Sequence, residues 1–210
     1  MLPGRCCSRT PTCRVFPCSR KRRGGDGRRR RKRWPDVDAL ALPTVVPVLH
    51  GGRVTLRPMG EDDAAALFAL YGDPLVMRYT DEDPFPDLST VGRMLASVRR
   101  LLAAGQSLEW AVVPADGGAP IGTCGLHGFD PASRTAQVGC LLRRSAWGQG
   151  FMPEALGVLA DYAAGVLHLN GLMADVAPEN ARARRMFERL GYREDGSGML
   201  RIGLRSAPLA

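Results

Sequence analysis

The chain has 210 residues, enough for one domain with a proper core plus an extension, and a formal net charge of +8. The charge is unevenly placed: residues 1–34 hold 13 Lys and Arg against the single Asp26, so the remainder carries a net −4. No window reaches the roughly 18 apolar residues of a membrane span, and no continuous apolar signal core follows the first basic residues, so the sequence predicts a soluble, cytoplasmic domain.

Residues 1–43 form a basic extension with Arg-rich runs at 20–23 and 28–33 and too few apolar residues in any period to bury a core. It reads as a solvated extension, or as a reading frame begun too far upstream. The alternatives are an anion-binding patch for nucleic acid, ribosome or membrane, or an acid-poor targeting peptide. Arg runs without interleaved aromatics carry no readout chemistry. Cys6, Cys7, Cys13 and Cys18 contain no Cys-x-x-Cys pair and have no nearby His, so no metal is expected. Cys124 and Cys140 lie in strand-like sequence and read as buried thiols.

Residues 44–210 form the predicted domain. Pro35 to Pro47 reads as a linker, with folding from about His50. Arg53 to Arg57 alternates as a strand, and the acidic start Glu61-Asp62-Asp63 leads a helix through Ala64, Leu67, Phe68 and Tyr71. Asp73-Pro74 breaks it, and a short helix covers Leu75 to Tyr79. Ser89 or Thr90 caps the next helix, whose stripe is Val91, Met94, Leu95, Val98, Leu101 and Leu102, and Gly105 ends it. Leu108–Val113 and Ile121–Phe129 read as a hairpin, and Thr135–Arg143 as a third antiparallel strand.

That strand runs into Trp147-Gly-Gln-Gly-Phe-Met-Pro-Glu-Ala155. Gly148 and Gly150 remove the Cβ atoms that would keep a ligand off the backbone, and Pro153 fits a first helical turn. The amides of Gln149 to Met152, with the helix dipole behind them, suit a phosphate or pyrophosphate. The spacing lacks the Lys of a P-loop and the third glycine of a dinucleotide fingerprint. A helix from about Pro153 to Val166 follows, then a strand Leu172–Val176, a helix from Asn180 to Leu190 stopped by Gly191, and a last strand Met199–Leu204. Tyr192–Glu194 is expected to pair with that strand across Gly196-Ser197-Gly198. The order predicts a mixed α/β, mostly antiparallel sheet with helices on both faces.

Five stretches in this order resemble the GNAT acetyltransferases, especially the branch of ribosomal-protein N-terminal acetyltransferases. They are Val54–Pro58 with Glu61-Asp62-Asp63, Asp73–Arg78, Ile121–Gly125, Trp147–Ala155, and Asn180 with Leu190-Gly-Tyr192. The resemblance covers about Leu49 to Leu204. It implies acetyl transfer from acetyl-CoA to an amine, either a protein N-terminal α-amine or a small-molecule amine. It places the CoA pyrophosphate on Gln149, Gly150, Phe151 and Met152, the pantetheine arm along Leu141, Leu142 and Arg143, and Asn180 on the cofactor side. A backbone N–H near Leu141–Arg143 is then the oxyanion donor.

Several catalytic positions of the family hold other residues here. Gln137 stands where a Glu base is common, Cys140 replaces an aromatic, and Ala183 and Phe187 replace proton donors to the thiolate. His127, Asp130 and Glu109 are substitute base candidates, and none is assigned. A rival reading is a CoA-binding module without efficient turnover. The resemblance implies two long final strands that wall the acceptor side, and only Arg193 to Ala210 remain for them, so either a stunted final hairpin or a truncated reading frame is expected.

Overall fold

The computed structural model describes residues 40 and 42–204; the Arg-rich runs and the four cysteines of the extension lie outside the described residues. Eight strands make one sheet: β1 (Leu49–His50), β2 (Val54–Arg57), β3 (Ser107–Pro114), β4 (Gly122–Asp130), β5 (Thr135–Leu142), β6 (Gly171–Ala174), β7 (Arg193–Glu194) and β8 (Leu200–Gly203). Their order is β1-β2-β3-β4-β5-β6-β8-β7, and every neighbouring pair is antiparallel except β5 and β6.

Among the described residues five α-helices cover the sheet: α1 (Ala64–Tyr71), α2 (Pro74–Met77), α3 (Ser89–Ala103), α4 (Phe151–Gly165) and α5 (Ala181–Arg189). The period of two divides each strand between the two faces. Leu108, Trp110, Cys124, Leu126 and Val138 join α4 and α5 in the larger core, with Leu156, Leu159 and Phe187. The smaller core is built by α1–α3 through Leu67, Tyr71, Val91, Met94 and Leu95. The apolar stripe of α3 is buried as its spacing predicts, each such side chain contributing about 1.5–3 kcal/mol. Asp87, outside the predicted Ser89 or Thr90, does the capping: its Oδ1 accepts from the Thr90 amide at 3.1 Å and from Ser89 Oγ at 2.6 Å. Gly105, at φ +63°, closes the helix with the Gln106 amide on Leu101 O at 2.9 Å.

The structure extends the domain's start beyond the predicted His50. Strand β1 pairs with β2, Val46 is buried, and Trp110 Nε1 donates to Pro47 O at 2.7 Å. The sequence reading missed this because a two-residue strand has no period to detect. The final hairpin forms as expected and is short, with Arg193 opposite Arg201 and Glu194 opposite Leu200.

The acidic start of the first helical segment does more than suit a dipole. Asp63, 5 % exposed, binds Arg57 through both carboxylate oxygens at 2.7 and 2.8 Å and accepts from the Gly60 amide at 2.9 Å. Burial alone would raise its pKa, but the Arg57 and Gly60 hydrogen bonds outweigh it and hold the carboxyl below its usual value. A depressed folded pKa gives stability that is present above the unfolded value, near 3.9, and lost as pH falls through the folded one. Asp63→Asn is therefore expected to cost about 1–3 kcal/mol in urea melts at pH 7, with the gap to wild type closing below about pH 4.

Candidate functional site

The parallel pairing of β5 with β6 covers only Thr135–Gln137 against Gly171–Met173. Beyond it β5 runs on to Leu142 beside β4 alone, and the two strands part. Strand alternation fixes which backbone groups this opens. The Arg143 amide donates to Ile121 O at 2.9 Å, so Arg143 faces β4, as do Leu141 and Gly139 by alternation. The groups aimed at the gap belong to Val138, Cys140 and Leu142. Among the three residues predicted for the pantetheine arm, Leu142 alone presents its N–H there. Its carbonyl is already engaged by Trp147 Nε1 at 2.5 Å.

Two chambers meet at the gap. One is a groove of about 710 Å³ between the end of β5, the start of α4 and α5. Leu141, Leu142, Gly150, Phe151, Met152 and Asn180 all line it. Gly150 lies in the left-handed region at φ +82° and is the residue before α4, so the glycine is required by the backbone. The helix begins two residues earlier than Pro153, which falls within its first turn, where an N–H has no intrahelical acceptor. Asn180 caps α5, its Oδ1 accepting from the Ala183 amide at 3.2 Å. Arg182, Arg185 and Arg189 form the groove's α5 wall, and among the described residues no Asp or Glu lines it. The Arg182 guanidinium lies 3.3 Å from the centroid of the Trp147 ring.

The other predicted cofactor residues lie differently. Gln149 turns its side-chain amide back to Ser145 O at 2.6 Å and gives its carbonyl to Arg53 Nη1 at 3.0 Å. The Arg143 side chain lines a separate depression with Arg53 and the Asp116–Ala119 turn. Arg53 was not singled out from the sequence, yet it braces the glycine turn three ways. Besides the Gln149 bond, its amide donates to Glu154 Oε1 at 2.6 Å and its guanidinium lies 4.6 Å from the Phe151 ring centroid. Nothing local in the sequence marks a contact across about a hundred residues. The turn is also tied to the helical pair, because Arg144 Nε donates to Asp73 Oδ2 at 2.6 Å.

The second chamber is a cavity of about 230 Å³ on the far side of the gap, beneath α1 and α2. Val76, Cys140, Leu141, Asn180 and Ala183 line both chambers, so they communicate there. Asp81, Glu82 and Asp175 face the cavity and, among the described residues, no Lys or Arg does. Glu82 Oε1 is buried without a hydrogen-bond partner among the described residues, and burial, with Asp81 nearby, pushes its pKa up. His127 also lines the cavity, and burial lowers its pKa, so the imidazole is neutral at pH 7 and able to accept a proton.

The other base candidates separate. Asp130 is held in a turn by the Ala132 amide at 3.0 Å and Ser133 Oγ at 2.7 Å and does not line the cavity. Glu109 is 1 % exposed on the same sheet face, behind the cavity wall. Gln137 lines the cavity as an amide, and Phe187 lies in the core against Tyr192, ring centroids 4.9 Å apart.

Residues 53–193 match the acetyltransferase (GNAT) domain family. The chain is 34 % identical over 148 residues to the uncharacterized N-acetyltransferase p20 of Bacillus licheniformis, covering 70 % of this chain and 83 % of that protein. Its fold is shared with Mycobacterium smegmatis RimJ, solved with CoA-disulfide, at a TM-score of 0.69 and 20 % identity over 81 % of this chain and 93 % of that one. It is shared equally with the Vibrio cholerae spermidine N-acetyltransferase, solved with CoA and spermine, at a TM-score of 0.64 and 20 % identity over 73 % and 97 % of the two chains. The family match over residues 53–193 and the 34 % relative place this chain in the GNAT acetyltransferase family.

Proposed function

We propose that the protein transfers an acetyl group from acetyl-CoA to a cationic amine, with the cofactor in the groove and the acceptor in the cavity. The carrying observation is the division of charge between two communicating chambers. Arginines and a helix start line one, as a pyrophosphate requires, and among the described residues carboxylates supply the charge of the other, as an ammonium requires. CoA in the RimJ and spermidine acetyltransferase structures, and spermine in the latter, supports the same pairing of ligands.

In this reading the first-turn amides of α4 hold the pyrophosphate over Gly150, Phe151 and Met152. Leu142 N–H, aimed at the gap, polarises the thioester carbonyl and stabilises the tetrahedral oxyanion. The amine crosses from the cavity beside Cys140 and Ala183. Attack at the carbonyl carbon breaks the C–S bond, and the CoA thiolate leaves along the groove. Proximity of two bound substrates supplies much of the rate. The absence of a protic side chain at Ala183 and Phe187 favours one rival, cofactor binding without turnover.

Calorimetric titration with acetyl-CoA, followed by thiol-release assays on N-terminal peptides, polyamines and aminoglycosides, separates these readings. Binding with release on one acceptor class is expected. Binding without release on any acceptor selects the rival. Gly150→Glu is expected to abolish acetyl-CoA binding in a folded protein, since it forces a side chain and a charge onto the phosphate site. Arg53→Ala removes a charged donor to Gln149 O and is expected to weaken acetyl-CoA binding about 5- to 10-fold through a looser turn, with kcat at saturation nearly unchanged. Asp175→Asn should raise KM for cationic acceptors several-fold, a change measured by initial rates, and leave acetyl-CoA affinity as it was.

A further inference from the structure

Glu109 is an expensive residue for its place. It is fully enclosed, its Oε2 has no hydrogen-bond partner among the described residues, and its other oxygen accepts only from Ser107 Oγ. An uncompensated buried carboxylate costs several kcal/mol, and a glutamine or methionine of similar shape would avoid most of it. The sheet is nonetheless arranged around this carboxyl. Glu109 pairs with Gly125 on β4, and Gly125 pairs with Gly139 on β5. A Cβ at Gly125 would stand 1.8 Å from Glu109 Oε2.

Directly paired residues share a face, so Glu109, Gly125 and Gly139 form one row across three strands. Its first member is a carboxyl, its second and third carry no side chain, and its third lines the acceptor cavity. The carboxyl lies over the middle strand, where a side chain would ordinarily be, and points along the bare row toward that cavity.

Among the described residues no cation pairs with Glu109. On α1 the Tyr71 hydroxyl shares a 2.9 Å hydrogen bond with Thr123 and is reached by the charges of Glu109 and Glu82. On β4 the neighbours are the buried Cys124 thiol and His127, opposite Ser107. On β2, Arg57 is bonded to Asp63. The buried face of α3, packed on β3, presents Val91, Met94, Leu95 and Ser97, none titratable at these pH values. Burial accordingly pushes the Glu109 carboxyl up to about 8, with the Ser107 bond opposing the rise.

We propose that Glu109 is the terminal proton acceptor of the transfer, receiving the acceptor ammonium's proton through water molecules lying along the bare Gly125–Gly139 row, each accepting one proton and passing on another. The inference rests on the acetyl-transfer reading above. The ammonium gives one proton to the Glu109 carboxylate and attacks as the free amine. Collapse of the tetrahedral intermediate breaks the C–S bond, and the second nitrogen proton passes to the departing thiolate to give CoA thiol. Glu109 then returns its proton to solvent through the same row. The device places a base on a rigid strand two rows from Gln137, the position that cannot take up a proton.

The test is kcat against pH from 6 to 10 on the full chain, at saturating acceptor, with acetyl-CoA affinity measured beside it. Wild type is expected to show a rising limb near pH 8. Glu109→Gln is expected to lose that limb and about 100-fold or more of kcat, with acetyl-CoA affinity unchanged. Ser107→Ala removes the bond that favours the ionised carboxyl, so its limb should move to higher pH. A merely structural Glu109 would not produce that shift. A carboxyl raised on folding contributes stability that is full below its unfolded pKa, near 4.3, and lost as pH rises toward 8. The thermal advantage of Glu109→Gln should accordingly grow from about pH 5 to about pH 8 and level off above. A limb unchanged in both variants, or one lost instead in Glu82→Gln or His127→Asn, overturns the assignment to Glu109 and leaves acetyl transfer standing. Acetyl-CoA binding with no acceptor turned over by wild type overturns both.

Discussion

The parting of β5 from β6 is the constraint on which the rest of the molecule depends. Two parallel strands that separate leave backbone N–H and C=O groups unpaired in the middle of a sheet, a costly arrangement unless something else satisfies them. Here the pairing lasts three residues and then stops. Trp147 takes the Leu142 carbonyl, and the remaining edge groups of Cys140 and Val138 face the junction of groove and cavity. The sheet thus spends part of its own hydrogen bonding to keep a slot through which two substrates can meet. The elements around the slot hold it open: Arg53 and Arg144 anchor the turn at one end, and α1–α3 form a separate core beneath it.

The slot also separates charge. Helix α5 turns Arg182, Arg185 and Arg189 into the groove, while the segment after α2 turns Asp81 and Glu82 into the cavity. Low local dielectric strengthens both fields and makes each unpaired group costly. Glu82 and Glu109 are the described carboxylates with a buried oxygen left unpartnered, and both lie on the same side of the sheet around Tyr71. Stability considered alone gives no reason for two such groups to lie together there. Proton transfer gives one, because a base must be dry enough to have a raised proton affinity and near enough to be reached.

Neither the burial of Glu109 nor the bracing role of Arg53 follows from the local pattern. Glu109 occurs in a strand of otherwise apolar side chains and looks like an exposed position on an alternating strand. Its burial depends on α1 and α3 closing over that face, and its direction on Gly125 lying opposite. Arg53 likewise looks like an ordinary strand-start arginine until β2 and the turn before α4 are brought together. Asp130 was a candidate because it ends a strand, but its carboxylate is absorbed by a local turn with Ala132 and Ser133.

The sequence by itself determined what short-range physics controls. Apolar periods marked the helices and most strands, Gly105 and Gly191 marked helix ends, and the glycines before α4 marked a turn whose backbone a ligand can approach, which the structure shows to be left-handed at Gly148 and Gly150. The ordered motifs then identified the family. The tertiary structure decided what depends on register and closure. It showed which amides along β5 face the gap, since a one-residue change in alternation exchanges Leu142 for Leu141 or Arg143. It also showed that Arg143 turns away from the groove, and that two glycines on adjacent strands align with Glu109. Pairing between strands far apart in the chain sets all three, and no single stretch of sequence carries that information.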